Sequence, residues 1–247
     1  MGLTRMSGGR RAASPRCGRR DAGVTLVELL VVMAISVVLG GMILVTWFAL
    51  SGSYANTVKR GEAGDQARFA LARMVREIRD LEQPPASVTE VGLVRARPFY
   101  IVLYTTFNKA GNTSADVPPR LVMYRLYSNG ELWRFADVDG NGSISGVDIT
   151  LEGNFPLSER LSGEGGQIVT GNVVNYVTPS AASPTPVFTY IYYNADGTLA
   201  TNVHDVRGTT NRSQVRAVGI DLLVDLNPGK SPVYTHLRST AQLRNAR

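Results

Sequence analysis

The sequence predicts an α+β chain, with a long N-terminal helix packed on an antiparallel β-rich head. Three observations predict it. Val24–Leu50 is a nearly unbroken apolar run, and the segment to about Leu81 repeats apolar residues at steps of three and four. Beyond Pro84-Pro85 the apolar period falls to two. One helical stretch followed by a series of strands is the α+β pattern. The 247 residues suffice for one anchored domain with a real core. The expected divisions are 1–23, a basic segment; 24–50, an apolar helix; 51–83, an amphipathic helix; and 84–247, the head.

The first segment accounts for the charge. Formal charge is +6 for the whole chain. Arg5, Arg10, Arg11, Arg16, Arg19 and Arg20 stand against Asp21 alone, so residues 1–23 carry +5 and the rest +1. The body is nearly neutral, and no nucleic-acid partner is indicated. Cys17 is the only cysteine. Without the basic segment the chain has no thiol, hence no disulfide and no cysteine-based metal site.

The apolar run comes next. Leu29–Leu50 contains no charged residue. As a helix it spans roughly 30 Å, the thickness of a bilayer core. The arginines before it predict a single pass through the cytoplasmic membrane, with the N-terminus inside and the head outside. A secretory signal peptide has a shorter apolar region. A plain signal anchor fits the length but leaves Glu28 unexplained, because a carboxylate at the start of a spanning helix is costly.

Gly23-Val24-Thr25-Leu26-Val27-Glu28-Leu29-Leu30 closely resembles the processing motif of type IV prepilins and pseudopilins. The resemblance implies a pilin-like fold and a structural subunit rather than an enzyme. It implies that residues 1–23 are a leader cut off after Gly23 by a prepilin peptidase, that Val24 becomes the N-methylated terminus, and that Glu28 guides filament assembly. Val24 stands where the family usually has phenylalanine. The implied partners are other pilin or pseudopilin subunits, the peptidase and an inner-membrane assembly platform. Type IV pilus, type II secretion and competence machines all use such subunits. Physics supports the implied pairing: an amine freed at Val24 compensates a carboxylate that would otherwise be unpaired in an apolar filament core.

From Ser53 the helix is expected to continue. Ala67, Leu71, Met74, Val75, Ile78 and Leu81 form one apolar stripe. Arg68, Arg73, Arg76, Glu77, Arg79 and Asp80 read as a solvated face, with Arg73 paired to Glu77. Gly61 and Gly64 weaken the helix locally, and Pro84-Pro85 is expected to end it.

Strands are expected at Val88–Val94, Phe99–Phe107, Leu121–Tyr127, Glu131–Phe135, Val173–Val177, Val187–Tyr193, Val215–Leu226 and Val233–Leu243. Asn129-Gly130 is a hairpin signal. Val218, Ile220, Leu222, Val224 and Leu226 alternate, so one face of that strand is buried. Ala195–Asn211 reads as polar and irregular. The Gln66–Leu81 helix, the Tyr124–Trp133 hairpin, Phe188–Gly197 and the closing strands resemble PilW-type minor pilins and J-type (PulJ-like) pseudopilins.

Asp137–Asp148 (Asp-Val-Asp-Gly-Asn-Gly-Ser-Ile-Ser-Gly-Val-Asp) matches the EF-hand loop pattern. Asp137, Asp139, Asn141 and Asp148 would offer side-chain oxygens, Ser143 its carbonyl and Ser145 a bound water. Gly142 permits the turn, and Ile144 is expected to anchor the loop to the core. The expected cofactor is structural Ca2+. The alternative is a Gly/Asp-rich turn without metal.

Catalytic patterns are not evident. His204 and His236 are the only histidines, with no HExxH, no GxSxG and no P-loop. His204-Asp205 is best read as surface. Tyr190, Tyr192 and Tyr193 have strand spacing and read as ordinary sheet residues. The competing functions are a membrane-anchored, calcium-dependent binding module or adhesin, and a secreted enzyme.

Overall fold

The computed structural model describes residues 24–84, 91–107, 119–137, 143–144, 166–175, 184–194, 196–225 and 234–244. It has an α+β layout of the pilin-like kind. Its elements are α1 (Leu26–Arg79), β1 (Leu93–Ala96), β2 (Tyr100–Thr105), β3 (Arg120–Leu126), β4 (Leu132–Ala136), β5 (Gln167–Thr170), β6 (Phe188–Tyr193), β7 (Leu199–Val203), α2 (Thr209–Ser213), β8 (Val215–Val224) and β9 (Thr235–Gln242). The contacts separate two compact units, Met1–Gly52 and Ser53–Arg247.

In the second unit the strands form two antiparallel sheets rather than one. Their orders are β1-β2-β3-β4-β5 and β7-β6-β8-β9. One apolar cluster joins the helix to both of them. It takes Ala67, Met74 and Ile78 from α1, Leu103 and Tyr124 from the first sheet, and Phe188 and Ile220 from the second. A second cluster, including Val102, Met123, Phe135 and Ile144, covers the other face of the first sheet. That sheet is therefore buried on both sides. It explains why β2 and β3 read as near-continuous apolar runs instead of alternating. β8 alternates as expected, with Val218, Ile220, Leu222 and Val224 inside.

Several boundaries differ from expectation. α1 ends at Arg79, ahead of Pro84-Pro85, because the chain there is captured by β2. The Thr105 hydroxyl donates to the Glu77 carbonyl at 2.9 Å, the Thr106 amide donates to Asp80 O at 3.3 Å, and Leu81 bridges Thr105. These bonds satisfy carbonyls that a helix end leaves open. No proline is needed. Gly61 lies inside the continuous helix. The first described strand is Leu93–Ala96 against the expected Val88–Val94, of which residues 88–90 lie outside the described residues; of Val173–Val177 residues 173–175 are described, and Val173 makes an isolated bridge to Val224.

Ala195–Asn211 is not irregular throughout, since it contains β7 and the start of α2. The strand escapes sequence reading because Leu199–Val203 lies at a sheet edge, with no two-sided apolar pattern. β5, also at an edge, was unforeseen for the same reason. The Asn129-Gly130 turn does join β3 to β4, with Gly130 at φ 82° and its amide donating to Tyr127 O at 3.0 Å.

The main correction concerns the charged side of α1. Glu77 is not solvated; it is fully buried. It accepts from Arg134 Nε of β4 at 3.0 Å, from the Tyr124 hydroxyl of β3 at 2.8 Å, and from Arg73 Nε at 3.2 Å. Arg73 also reaches Gln167 Oε1 of β5 at 3.4 Å. Burial, then the neighbouring Glu77 charge, hold the Tyr124 phenol well above its ordinary range. It stays protonated and keeps donating.

Removing one partner of such a pair strands the others. Glu77→Ala is expected to lower unfolding free energy by about 3–5 kcal/mol, with a smaller loss for Glu77→Gln. Chemical denaturation monitored by circular dichroism checks both.

Candidate functional site

The first helical turn is built by Thr25. Its Oγ1 accepts from the Glu28 amide at 3.3 Å, and its carbonyl accepts from the Leu29 amide at 3.1 Å. Thr25-Leu26-Val27-Glu28 thus has the spacing of a capping box, in which a glutamate three residues after a threonine cap suits the helix N-terminus. That signal was present in the sequence and was missed there. Glu28 is also the acidic residue of the first turn, where the helix dipole favours it. Gly23 lies outside the described residues, while Val24 and Glu28 are both exposed.

Past Glu28 the helix is apolar and uncovered. Val37 is 75% exposed and Phe48 72%, and residues 24–50 are exposed apart from a half-buried Gly40. An apolar surface of this length needs lipid or protein around it. Its few hydroxyls are satisfied within the helix. Ser36 donates to Val32 O at 2.8 Å and Thr46 to Met42 O at 2.9 Å. No polar side-chain need obstructs burial in hydrocarbon. By length and composition the helix is able to cross a membrane.

Residues 18–44 match the prokaryotic N-terminal methylation motif. This is the type IV pilin-family signal, and it supports the pilin and pseudopilin class and a membrane-anchored, single-pass chain. The class it marks is structural rather than enzymatic, and its members assemble with one another after prepilin peptidase processing. Among curated proteins no sequence matches this chain.

The acidic loop is only partly described. Asp137 closes β4 at 4% exposure, and its amide donates to Leu121 O at 2.8 Å. Ile144 is buried in the second apolar cluster. Ser143 is described, whereas Asp139, Asn141, Ser145 and Asp148 lie outside the described residues. Among the described residues, no three His, Cys, Asp or Glu side chains group as metal ligands.

The remaining candidates are structural. His204 is exposed, and Asp205 pairs with the buried Arg97 and with Arg207, the latter at 2.9 Å. Burial opposes the Arg97 charge most, but Asp205 and Tyr100 together outweigh it and hold the guanidinium above its ordinary range. His236 Nε2 lies 2.5 Å from Asp221, which also receives Arg238 at 2.6 Å. Tyr190 is buried and donates to Arg97 O at 2.9 Å, a sheet-packing role. Glu77 has the helical spacing of the buried Ala70 and Met74, but its partners Arg134 and Tyr124 are far along the chain.

Proposed function

We propose that the chain is a structural subunit, a minor pilin or pseudopilin, of a type IV pilus or of a type II secretion or competence pseudopilus. The observation that carries this reading is the methylation motif lying on an exposed apolar helix with Glu28 in its first turn. Prepilin peptidase cuts after Gly23, and the new Val24 amine is methylated. The N-terminus faces the cytoplasm and the head lies outside the inner membrane until the assembly platform adds the subunit to the filament.

Glu28 then has two roles. Within one subunit its amide donates to Thr25 Oγ1 and its side chain suits the helix N-terminus; between subunits its carboxylate meets the Val24 ammonium of a neighbour. An ionic contact is strong where water is excluded, and an unpaired carboxylate there is heavily penalised. The two roles are separable. Glutamine suits the capping position as well as glutamate does, but carries no charge.

Gly23→Leu should accumulate as an uncut precursor, seen as slower migration on a gel and an intact N-terminus by mass spectrometry. An uncut wild-type chain would point instead to a tethered binding module. Glu28→Gln and Glu28→Leu should both be inserted and trimmed yet be missing from sheared filaments. Normal incorporation of Glu28→Gln would remove the ionic role.

The same reading includes a structural calcium clip at Asp137–Asp148. All-oxygen donors suit a hard cation. The buried Asp137 and the core-anchored Ile144 support a loop that is fastened at its start and middle. Asp137, Asp139, Asn141 and Asp148 would hold the ion, with the Ser143 carbonyl and a water on Ser145. Bound only by the folded state, calcium stabilises it by mass action. Calorimetric titration should give heat and a raised Tm for the wild-type protein, and neither for Asp139→Ala. Silence from the wild-type protein in both measurements ends the idea.

A further inference from the structure

We infer that the outward face of the second sheet, β7-β6-β8-β9, holds a binding site for a neutral sugar. The site goes beyond the subunit role, because it lies on the head and uses no residue of α1.

One face of this sheet packs on the core through Phe188, Tyr190, Val218 and Ile220. Strand alternation turns Thr189, Gly219, Asp221, Arg238 and Thr240 to the other face. The register sets Thr189, Gly219 and Thr240 in one row, with Asp221 beside Arg238 in the next. A cavity of about 570 Å³ opens over them, within the size range of small-molecule sites.

Two departures from regular strand structure shape the cavity. A side chain on Gly219 would run into the Thr189 hydroxyl, so the glycine lets that hydroxyl lie across the middle of the face. On β7 there is a bulge: Thr201 and Asn202 together oppose Ile191, between the pairs Tyr190–Val203 and Tyr192–Ala200. The extra residue lets Val203 pack toward the core while Asn202 and His204 line the cavity. Asn202 has φ 58°, a conformation that few side chains adopt. A backbone outlier at the rim of a cavity points to a use for the side chain it positions.

The polar groups are mixed in kind. Asp221 is only 8% exposed; it lies 2.5 Å from His236 Nε2 and accepts from Arg238 Nε at 3.0 Å and Nη2 at 2.6 Å. A carboxylate has about four acceptor positions, so about one is left for a ligand when Nε2 carries the proton. Arg238 keeps N–H groups beyond the two that Asp221 takes. Asn202 adds an amide that both donates and accepts, and Thr189 and Thr240 add hydroxyls. Pro186 and Ile191 supply aliphatic surface beside them.

This inventory selects the ligand. Asp221 and Arg238 cancel in charge and are bonded to each other, so an ionic ligand meets a neutral wall. Nucleic acid wants a row of cations and stacking aromatics, and a protein partner wants buried aromatic anchors. Among the described residues no aromatic side chain lines the cavity. A sugar has adjacent hydroxyls that each donate and accept, set beside C–H surface. Donors, acceptors and aliphatic carbon in close company fit that pattern.

The test applies the full chain, in a zwitterionic detergent without a sugar head group, to immobilised neutral and acidic oligosaccharides. The wild-type protein should be retained on neutral ones, with binding insensitive to salt. Asn202→Gly tolerates the same backbone conformation and removes the amide. Arg238→Lys keeps the charge and removes the planar fork. Each should raise the half-saturating sugar concentration about tenfold. Both residues are exposed, so the fold should stand, and an unchanged Tm checks this. If either variant unfolds, the other decides. Retention on no oligosaccharide, on acidic ones alone, or equally by wild type and variants overturns the inference. None of these outcomes touches leader cleavage or filament entry, which test the proposed function separately.

Discussion

The packing of the described head depends on a carboxylate placed where carboxylates rarely go. Glu77 lies at the junction of α1 with β3 and β4, fully buried, and gathers Arg73, Arg134 and the Tyr124 hydroxyl. Ionising a group there costs several kcal/mol of desolvation, which its three partners must offset. Apolar contact alone would hold the helix on the sheet, since Ala67, Met74 and Ile78 are small or adaptable and could slide. A carboxylate that needs an arginine from one strand and a phenol from another cannot. Moving the helix by one residue turns it by ~100° and takes Glu77 away from both partners. The buried charge thus contributes register more than net stability.

That fixed register has a consequence for the opposite side of the helix. Once Ala70, Met74 and Ile78 are held inward, Phe69, Ala72 and Arg76 are necessarily turned outward. From Ala67 on the helix therefore has one face packed on its own head and one left exposed. Within Leu26–Leu50 the same continuous helix has no committed face, because apolar residues point in every direction. A helix hydrophobic all round suits lipid or a close-packed helical core.

Much of this was legible in the sequence, and the reason is local. The apolar run, the motif around Gly23 and Glu28, the Asn129-Gly130 turn and the alternation through β8 all depend on neighbouring residues. The run, the turn and the alternation are a helix, a hairpin turn and a strand in the structure. What failed depended on residues distant in the chain. Glu77 stands three residues after Met74 and seven after Ala70, on the buried stripe, yet nothing near it announces Arg134 57 positions later. The end of α1 was assigned to Pro84-Pro85, though Thr105 and Thr106 decide it from 25 or more residues away. The edge strands β5 and β7 were missed because an edge is defined by its neighbour, not by its own composition. Thr25 is the exception: its capping bond is local and follows from the Thr-x-x-Glu spacing.

The two-sided burial of the first sheet bears on the proposed calcium loop, whose Ile144 is buried there. Tyr100, Val102, Met123 and Phe135 face away from α1, and Ile144 is among the residues covering them. Gly166 stands so close to the Phe135 ring that any side chain there would meet it at 2.6 Å. The cover is thus tightly fitted at the points described. Without a thiol outside the basic segment, it cannot be stapled covalently. Ordering a connection without such a staple costs roughly 1–2 kcal/mol per residue. A divalent ion bound by several oxygens of one loop fixes many residues with a single ligand. Asp137 begins that loop at the buried end of β4, and Ile144 seals it onto the sheet. A metal there would act on the cover of the second cluster, leaving the Glu77 junction untouched.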